Sequence, residues 1–298
     1  MSASPPPSGP DAARLSAADL GDPGQREAFF GVADAARAAD GADPFNEQTR
    51  LDVDSGRRTP YLVRAAGRVV GAAVLGGGEL DLAVLPSDRR RGVATRVAEA
   101  LLGDVDGPVT AWAHGDDPAA ARLAGRFGFE RVRTLLKLGT PLDAEPQTVE
   151  IPAGYELTAL RPGLDDEEWV ALNARVFAGH PEQGALTVDD LQARQAEPWF
   201  DAGDVLLLRD GSGRLVGYDW VKVEAGAAAG EIYVLGVAPE EAGRGLGRAL
   251  LAAGLWRLRD RGCTEAELYV EGDNAAALPL YRSAGFADRS VDVHYRRG

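Results

Sequence analysis

Leu235-Gly236-Val237-Ala-Pro239 runs into Ala242-Gly243-Arg244-Gly245-Leu246-Gly247-Arg248: an apolar strand, then a basic glycine-bearing turn, then the start of a helix. The first half of the chain repeats the order, with Leu82-Ala83-Val84-Leu-Pro86 leading into Arg89-Arg90-Arg91-Gly92-Val93-Ala94-Thr95. Glycine lets a backbone approach a ligand closely, and the N–H groups that open a helix carry a partial positive charge suited to a pyrophosphate. The neighbouring arginines add bidentate partners for phosphate oxygens. One such turn is as readily a basic surface loop. Two copies, each behind a strand of similar pattern, point to a duplicated fold that holds an anionic ligand.

Each copy is followed by a second matching segment. It is Asp117-Pro-Ala-Ala-Ala-Arg-Leu-Ala-Gly-Arg-Phe-Gly128-Phe129 in the first half and Asn274-Ala275-Ala276-Ala277-Leu278-Pro279-Leu-Tyr281-Arg-Ser-Ala-Gly285-Phe286 in the second. Both read as a short helix opened by Asp or Asn, closed by glycine and leading into a final strand. Strand, glycine turn, helix, strand and N-x-x-A…Y-x-x-x-G-F together resemble the Gcn5-related N-acetyltransferase (GNAT) superfamily, here as two domains in tandem. The resemblance implies a mixed α/β fold in each domain and acetyl-coenzyme A as co-substrate. Its pyrophosphate would lie on the turn and its pantetheine between two splayed parallel strands. The implied contacts are Leu235 to Val237, Ala242 to Arg248 and Asn274 to Pro279 in the second copy. In the first they are Leu82, Ala83, Val84 and Arg90 to Thr95.

Length and composition agree. A chain of 298 residues accommodates two domains of roughly 150 residues, each with its own core. Residues 1–11, with Pro5-Pro-Pro7, read as a disordered lead-in without the apolar stretch of a signal peptide. No apolar run reaches the roughly 18 residues that span a bilayer, and the single cysteine, Cys263, has no internal partner for a disulfide. A cytoplasmic monomer acting on a small molecule is the expectation. A formal net charge of −14 argues against nucleic acid, and His114, His180 and His294 are too scattered for a metal site.

The first domain is expected over 12–139, a linker over 140–150, and the second domain over 151–298. Phe129 to Leu138 reads as the first domain's closing strand, and Asp165 to Phe177 as the second domain's first helix. Tyr61 to Arg64 with Val69 to Leu75, and Val205 to Leu208 with Leu215 to Val223, read as antiparallel pairs.

The copies differ where proton chemistry would sit. Counted from Pro86 and Pro239, Glu231 falls opposite Gly78. Counted from the Gly-Phe pairs, Tyr281 falls opposite Ala124. Glu79 stands one position along, and strand alternation aims a residue displaced by one to the other face. The first domain is therefore expected to be a degenerate, non-catalytic binder of acetyl-CoA and the second to be catalytic. Amine acetylation needs a base for the attacking amine and a proton for the departing thiolate. Glu231 suits the first role. Tyr281, with a phenol pKa near 10, suits the second, against a thiol of about 8.5. Backbone N–H groups around Leu235 to Val237 would polarise the thioester carbonyl.

Phe177-Ala-Gly-His180-Pro-Glu182-Gln-Gly184, Trp199-Phe-Asp, Tyr218-Asp-Trp-Val-Lys222, Gly230-Glu231-Ile-Tyr-Val-Leu-Gly-Val and Leu268-Tyr269-Val-Glu-Gly-Asp-Asn274 are similar to the mycothiol synthases in particular. That resemblance implies acetyl transfer to the cysteinyl α-amine of mycothiol's pseudo-disaccharide precursor. Glu231 would be base and Tyr281 acid, with Glu47, Glu182, Lys222 and Tyr269 holding the precursor. The Gln or Arg usual at the first position of the second turn is Ala242 here. Two other readings stay open: a GNAT enzyme for an aminoglycoside, a polyamine or a protein N-terminus, and a non-catalytic acetyl-CoA sensor.

Overall fold

The computed structural model describes residues 13–103, 105–142, 149–179 and 183–298. Along the chain run β1 (Arg14–Ala17), α1 (Pro23–Asp40), α2 (Glu47–Asp54), β2 (Thr59–Ala65), β3 (Arg68–Gly76), β4 (Glu79–Val84), α3 (Val93–Leu102), β5 (Val109–Ala113), α4 (Pro118–Arg126) and β6 (Glu130–Pro141). They continue with β7 (Tyr155–Ala159), α5 (Asp166–Val176), α6 (Val188–Gln195), β8 (Val205–Asp210), β9 (Leu215–Lys222), β10 (Ala229–Val237), α7 (Leu246–Asp260), β11 (Glu265–Glu271), α8 (Ala277–Ser283) and β12 (Ala287–Arg297). The expected strand pairs and helices are present. The lead-in, and residues 143–148 of the expected linker, lie outside the described residues.

Packing divides the chain into one unit of Met1–Leu135 with Ser290–Gly298 and another of Leu136–Arg289. The linear division at 140–150 is not where the contacts part. Thr140 and Pro141 still belong to β6, Leu142 donates its N–H to the Thr264 carbonyl within the second unit, and the C-terminal strand completes the first. Strand order in the first unit is β1-β2-β3-β4-β5-β12, and in the second β6-β11-β10-β9-β8-β7. Each order contains one parallel contact between a motif strand and the strand after its helix, β4 with β5 and β10 with β11; the other pairings described are antiparallel.

The helix behind each turn is amphipathic at the helical period. In α7, Leu246, Ala249, Leu250, Leu251, Ala253, Gly254 and Leu258 are buried, and in α3, Val93, Val97, Ala98, Leu101 and Leu102. Gly262, at φ +83°, lets the chain leave α7 in a left-handed turn. In the second unit one face of the sheet packs Trp169, Tyr218, Trp220 and Val234 beneath α5. The other packs Val221, Ile232, Leu258 and Tyr281 beneath α7 and α8.

Ladder register corrects one expectation. In β3/β4 the pairs run without a break from Gly71 with Val84 to Gly76 with Glu79. In β9/β10 they run from Gly217 with Val237 to Lys222 with Glu231, but Tyr233 is bulged out between Ile232 and Val234. That extra residue absorbs the one-position displacement counted from the prolines. Glu79 and Glu231 therefore hold the same ladder position and point to the same side, so the first unit has a carboxylate where a pure alternation argument denied it one.

Candidate active site

Helices α1, α2, α4 and α6 are each capped by a side-chain acceptor, from Asp22, Asn46, Asp117 and Thr187. Helices α3 and α7 are not: they open on left-handed glycines, Gly92 at φ 76° and Gly245 at φ 80°, with no side-chain cap. Their first N–H groups are left to an external acceptor, so both turns fit a phosphate. Gly243 takes φ +79° in the second turn, and Arg90 takes φ +60° at the same place in the first. Arg244 lies 3.0 Å from Glu241 and donates to the Tyr155 hydroxyl at 3.3 Å, and both Arg244 and Arg248 are exposed. In the first unit a cavity of about 880 Å³ is lined by Leu82, Val84, Arg90, Gly92, Ala94 and Thr95 among others. Asn274 accepts from the Ala277 N–H at 2.9 Å and so fixes the entry into α8, with Pro279 in its first turn.

Glu231 sits where two strands part. Parallel pairing of β10 with β11 covers Ala229, Gly230 and Glu231 against Glu265, Ala266 and Glu267 and then stops, although both strands continue. Beyond Glu231 the groups that Leu235 to Val237 turn toward β11 have no partner in that ladder. Directly paired residues share a face, so Glu231, Lys222 and Glu267 lie together, with Tyr269 one alternation further along β11. Lys222 closes on Glu224 at 2.9 Å and lies 4.9 Å from the centre of the Trp199 ring. Lys137 bridges to Glu267 at 2.7 Å and lies 5.5 Å from the centre of the half-exposed Tyr269 ring. Burial first, and then the neighbouring Glu267 and Glu224, push the Glu231 carboxyl up to about 7, against the opposing pull of Lys222 and Lys137. A carboxyl so placed is half ionised near neutrality, where a base for an amine is most effective.

Tyr281 belongs to the other face. It is buried among Ile232 of β10, Leu268 and Val270 of β11, and Phe286, whose ring stands edge-on at 5.9 Å. Burial, with a smaller contribution from Asp219, holds its phenol well above the usual value, so it is protonated throughout the physiological range. A carboxyl on one face and a phenol packed against the separated strands from the other flank the gap between β10 and β11.

In the first unit Glu79 is engaged. The buried Arg58 guanidinium donates to Glu79 at 3.2 Å and to Asp81 at 2.7 Å, and Asp81 also accepts from Thr49 at 3.0 Å. Position 124 is alanine, and Gly76 stands where the second unit has Lys222. Glu47 opens α2, but its side chain lies outside the described residues, as do His180, Pro181 and Glu182. Of the substrate-holding residues expected from the sequence, the structure thus brings Lys222, Tyr269 and Glu231 to one face. It adds Lys137 and Glu267, which carry no local signal because only the parallel register of β11 brings Glu267 beside Glu231. No group of three His, Cys, Asp or Glu side chains able to hold a metal occurs among the described residues, and no helix among them is long and apolar enough to cross a membrane.

A model of the acetyltransferase (GNAT) family matches residues 171–286. The chain is 50% identical, over the full length of both proteins, to a mycothiol acetyltransferase of Clavibacter sepedonicus. It is 47% identical to that of Salinispora arenicola, over 97% of this chain and 98% of the relative. Among solved structures it is similar to a GCN5-related N-acetyltransferase from Sphaerobacter thermophilus, with TM-score 0.73 and 24% identity over 96% of this chain and 95% of the other. A tandem GNAT protein from the clavulanic acid biosynthesis pathway gives TM-score 0.68 and 22% identity over 96% and 98%. At these identities the likeness shows the fold alone.

Proposed function

The chain belongs to the mycothiol acetyltransferase family within the GNAT acetyltransferases, and from that membership and the face that carries Glu231 we infer that it completes mycothiol. The reaction moves acetyl from acetyl-CoA to the cysteinyl α-amine of the cysteinyl-glucosaminyl-inositol precursor, releasing CoA. Acetyl-CoA supplies the activated acyl group as a thioester. The uncapped start of α7, with Gly243, Arg244, Gly245 and Arg248, binds its pyrophosphate, and the equivalent turn of the first unit is a second, non-catalytic binding place. The carrying observation is a carboxyl tuned to about 7 on one face with a cation, Lys222, and a half-exposed tyrosine, Tyr269.

Glu231 takes a proton from the acceptor ammonium, directly or through a water. Because an α-amine has a pKa of about 7.7–8.0, the match to a base near 7 is close. N–H groups of Leu235 to Val237 that face the gap stabilise the developing oxyanion. Tyr281 gives its proton to the departing thiolate. Lys222 and Tyr269 hold the sugar part of the acceptor, together with Glu47 and Glu182.

The test is chromatographic quantitation of acetylated product with the sugar-linked precursor, free cysteine and a polyamine as competing acceptors. Lys222→Ala should raise the precursor KM roughly 10- to 150-fold, the worth of one charged hydrogen bond of about 1.5–3 kcal/mol, with the acetyl-CoA KM nearly constant. Free cysteine should be much the poorer acceptor because it lacks the remote contacts that help reach the transition state. Equal turnover of free cysteine and precursor would remove mycothiol synthesis and leave acetyl transfer standing.

A further inference from the structure

Each glycine turn is preceded by a buried acid, and in both units that acid holds two arginines from equivalent places. In the second unit the acid is Glu241, two residues after Pro239. Its Oε2 accepts from the Tyr155 hydroxyl at 2.8 Å and pairs with Arg244 Nη1 at 3.0 Å, while its Oε1 accepts from Arg214 Nη2 at 3.2 Å. In the first unit it is Asp88, two residues after Pro86. Asp88 accepts from Arg68 through both oxygens and lies 3.5 Å from Arg91 Nη1. The arginines correspond as closely as the acids do. Arg91 and Arg244 each stand three residues beyond their acid, inside the turn. Arg68 and Arg214 each stand three residues before a glycine, Gly71 or Gly217, that pairs with Val84 or Val237 of the motif strand.

A carboxylate beside a phosphate site repels the ligand, so its presence at both turns calls for a physical reason. Arg214 offsets part of the charge and also reaches Glu240 at 3.0 Å and Asp210 at 3.1 Å. The rest of the reason lies in how Arg244 is held. Its side chain is exposed, and it stands between Gly243 and Gly245, both left-handed, so neither packing nor backbone alone fixes its direction. Ordering a long free side chain on binding opposes affinity. The contacts described for Arg244 are both made by Nη1, to Glu241 and to Tyr155. The guanidinium is thus gripped at one end, and its Nε–Nη2 edge, a fork that matches two phosphate oxygens, is not used by these contacts. Arg91 is gripped by the same atom.

We propose that Glu241 and Tyr155 are positioning residues for the coenzyme, holding Arg244 by one nitrogen so that its bidentate edge meets the pyrophosphate. Asp88 does the same for Arg91 in the first unit. This rests on the reading that Arg244 and the start of α7 take the pyrophosphate. Its consequence runs against simple charge counting: removing a negative charge from beside the turn weakens the hold on an anion, because the cation that meets the anion is no longer aimed. The effect belongs to the phosphate end of the coenzyme and leaves the acetyl end and the chemistry at Glu231 as they are.

Coenzyme A affinity is measured by calorimetric titration and by competition with acetyl-CoA in turnover, beside the KM values of acetyl-CoA and of acetyl-pantetheine, which lacks the pyrophosphate. The proteins are wild type, Glu241→Gln, Tyr155→Phe, Arg244→Ala and the double variant Glu241→Gln/Arg244→Ala. Arg244→Ala should weaken coenzyme A roughly 10- to 150-fold, the worth of a charged hydrogen bond. Glu241→Gln and Tyr155→Phe should each forfeit part of that, roughly 3- to 30-fold in coenzyme A affinity and acetyl-CoA KM, with kcat within about twofold. The acetyl-pantetheine KM should hardly move. In the Arg244→Ala background Glu241→Gln should add less than about twofold. Charge repulsion alone gives the opposite pattern: tighter coenzyme A in Glu241→Gln and no change in Tyr155→Phe, which alters no charge. Unchanged or tighter binding in Glu241→Gln, unchanged binding in Tyr155→Phe, an equal loss with acetyl-pantetheine, or losses that multiply in the double variant would each overturn the proposal. Wild-type affinity in Arg244→Ala would instead overturn the assignment of Arg244 to the pyrophosphate on which it rests.

Discussion

Strands β4 and β10 each deliver a glutamate to the same ladder position, where the parallel contact with β5 or β11 ends, and their surroundings give the two side chains opposite uses. Glu79 is held by Arg58, a cation buried with Asp81 beneath it. Across the ladder from Glu231 stands Lys222, which is drawn to Glu224, and burial leaves the Glu231 carboxyl near neutrality in pKa. The two units share the ladder position of the glutamate despite the bulge at Tyr233 in the second. What separates them is which charges are consumed internally: Arg58 spends the carboxylate of the first unit on structure, while the second leaves its carboxyl facing Lys222 and Tyr269.

The sharpest way to break this comparison is to remove each glutamate in turn. Glu231→Gln and Tyr281→Phe should each reduce kcat about 10²- to 10⁴-fold while acetyl-CoA binding, measured by calorimetry, stays close to wild type. Glu79→Gln should leave turnover within about twofold. Comparable losses from Glu79→Gln and Glu231→Gln would show that the first unit takes part in the chemistry.

The next effect concerns stability. Arg58 is 3% exposed at its side chain and so is Asp81, 2.7 Å away. Removing one partner of such a pair strands the other charge in the interior, at a cost of about 3–5 kcal/mol. Arg58→Ala should therefore lower the unfolding temperature of the first unit by calorimetry. It should not create a second catalytic centre, because Ala124 offers no proton to a thiolate. Acquired activity in an Arg58→Ala/Glu231→Gln double variant would contradict that.

Acidity gives a third handle. The carboxyl must be ionised to act as a base, so kcat/KM should fall as pH drops through about 7, where Glu231 takes up its proton. The same shift works against stability. Between its ordinary 4.5 and about 7 the folded Glu231 holds a proton that the unfolded chain has released, so its contribution is favourable at low pH and is lost as pH rises through about 7. At pH 8 Glu231→Gln should be more stable than wild type by on the order of 1–3 kcal/mol, although inactive, and near pH 4 the two should unfold alike. A glutamine variant less stable at pH 8 would mean that the carboxylate has a partner compensating its burial.

The glycine turns, the helices behind them and the hairpins were legible because each rests on a local rule: periodicity, a cap, a left-handed glycine. Lys222 came only with the resemblance to the mycothiol synthases, whereas Glu231 and Tyr281 could be found by laying one copy over the other. The bulge at Tyr233 could not, since it adds a residue without a glycine or proline to announce it, and so Glu79 was read onto the wrong face. The placement of the closing strands was equally hidden, because a strand pairs through its backbone with whichever sheet edge accepts it. Asp219 was visible only as one of two charged residues, with Lys222, in the otherwise apolar stretch Leu215 to Val223. Its burial depends on Gly254, 35 residues later, leaving it room.

The smallest effect lies in the turns themselves, where the copies share a conformation but not a residue. A left-handed backbone strains any side chain that carries a Cβ by about 1–2 kcal/mol, and glycine avoids this. Gly243, at φ +79°, uses glycine as expected, whereas the first unit forces Arg90 to φ +60°. Gly243→Ala should cost about 1–2 kcal/mol of stability in the second unit and weaken acetyl-CoA, because the strained turn aims the N–H groups of α7. Arg90→Gly should do the reverse in the first unit: release of strain, less the extra chain entropy of glycine, leaves a gain of about 0.5–1 kcal/mol. The same change removes a cation from the cavity that the arginine lines, so any anion bound there should bind more weakly even as the unit becomes harder to unfold. Calorimetric titration with coenzyme A beside thermal unfolding separates the two. Stability and affinity falling together in Arg90→Gly would show that the arginine supports the turn and is not retained there for a phosphate.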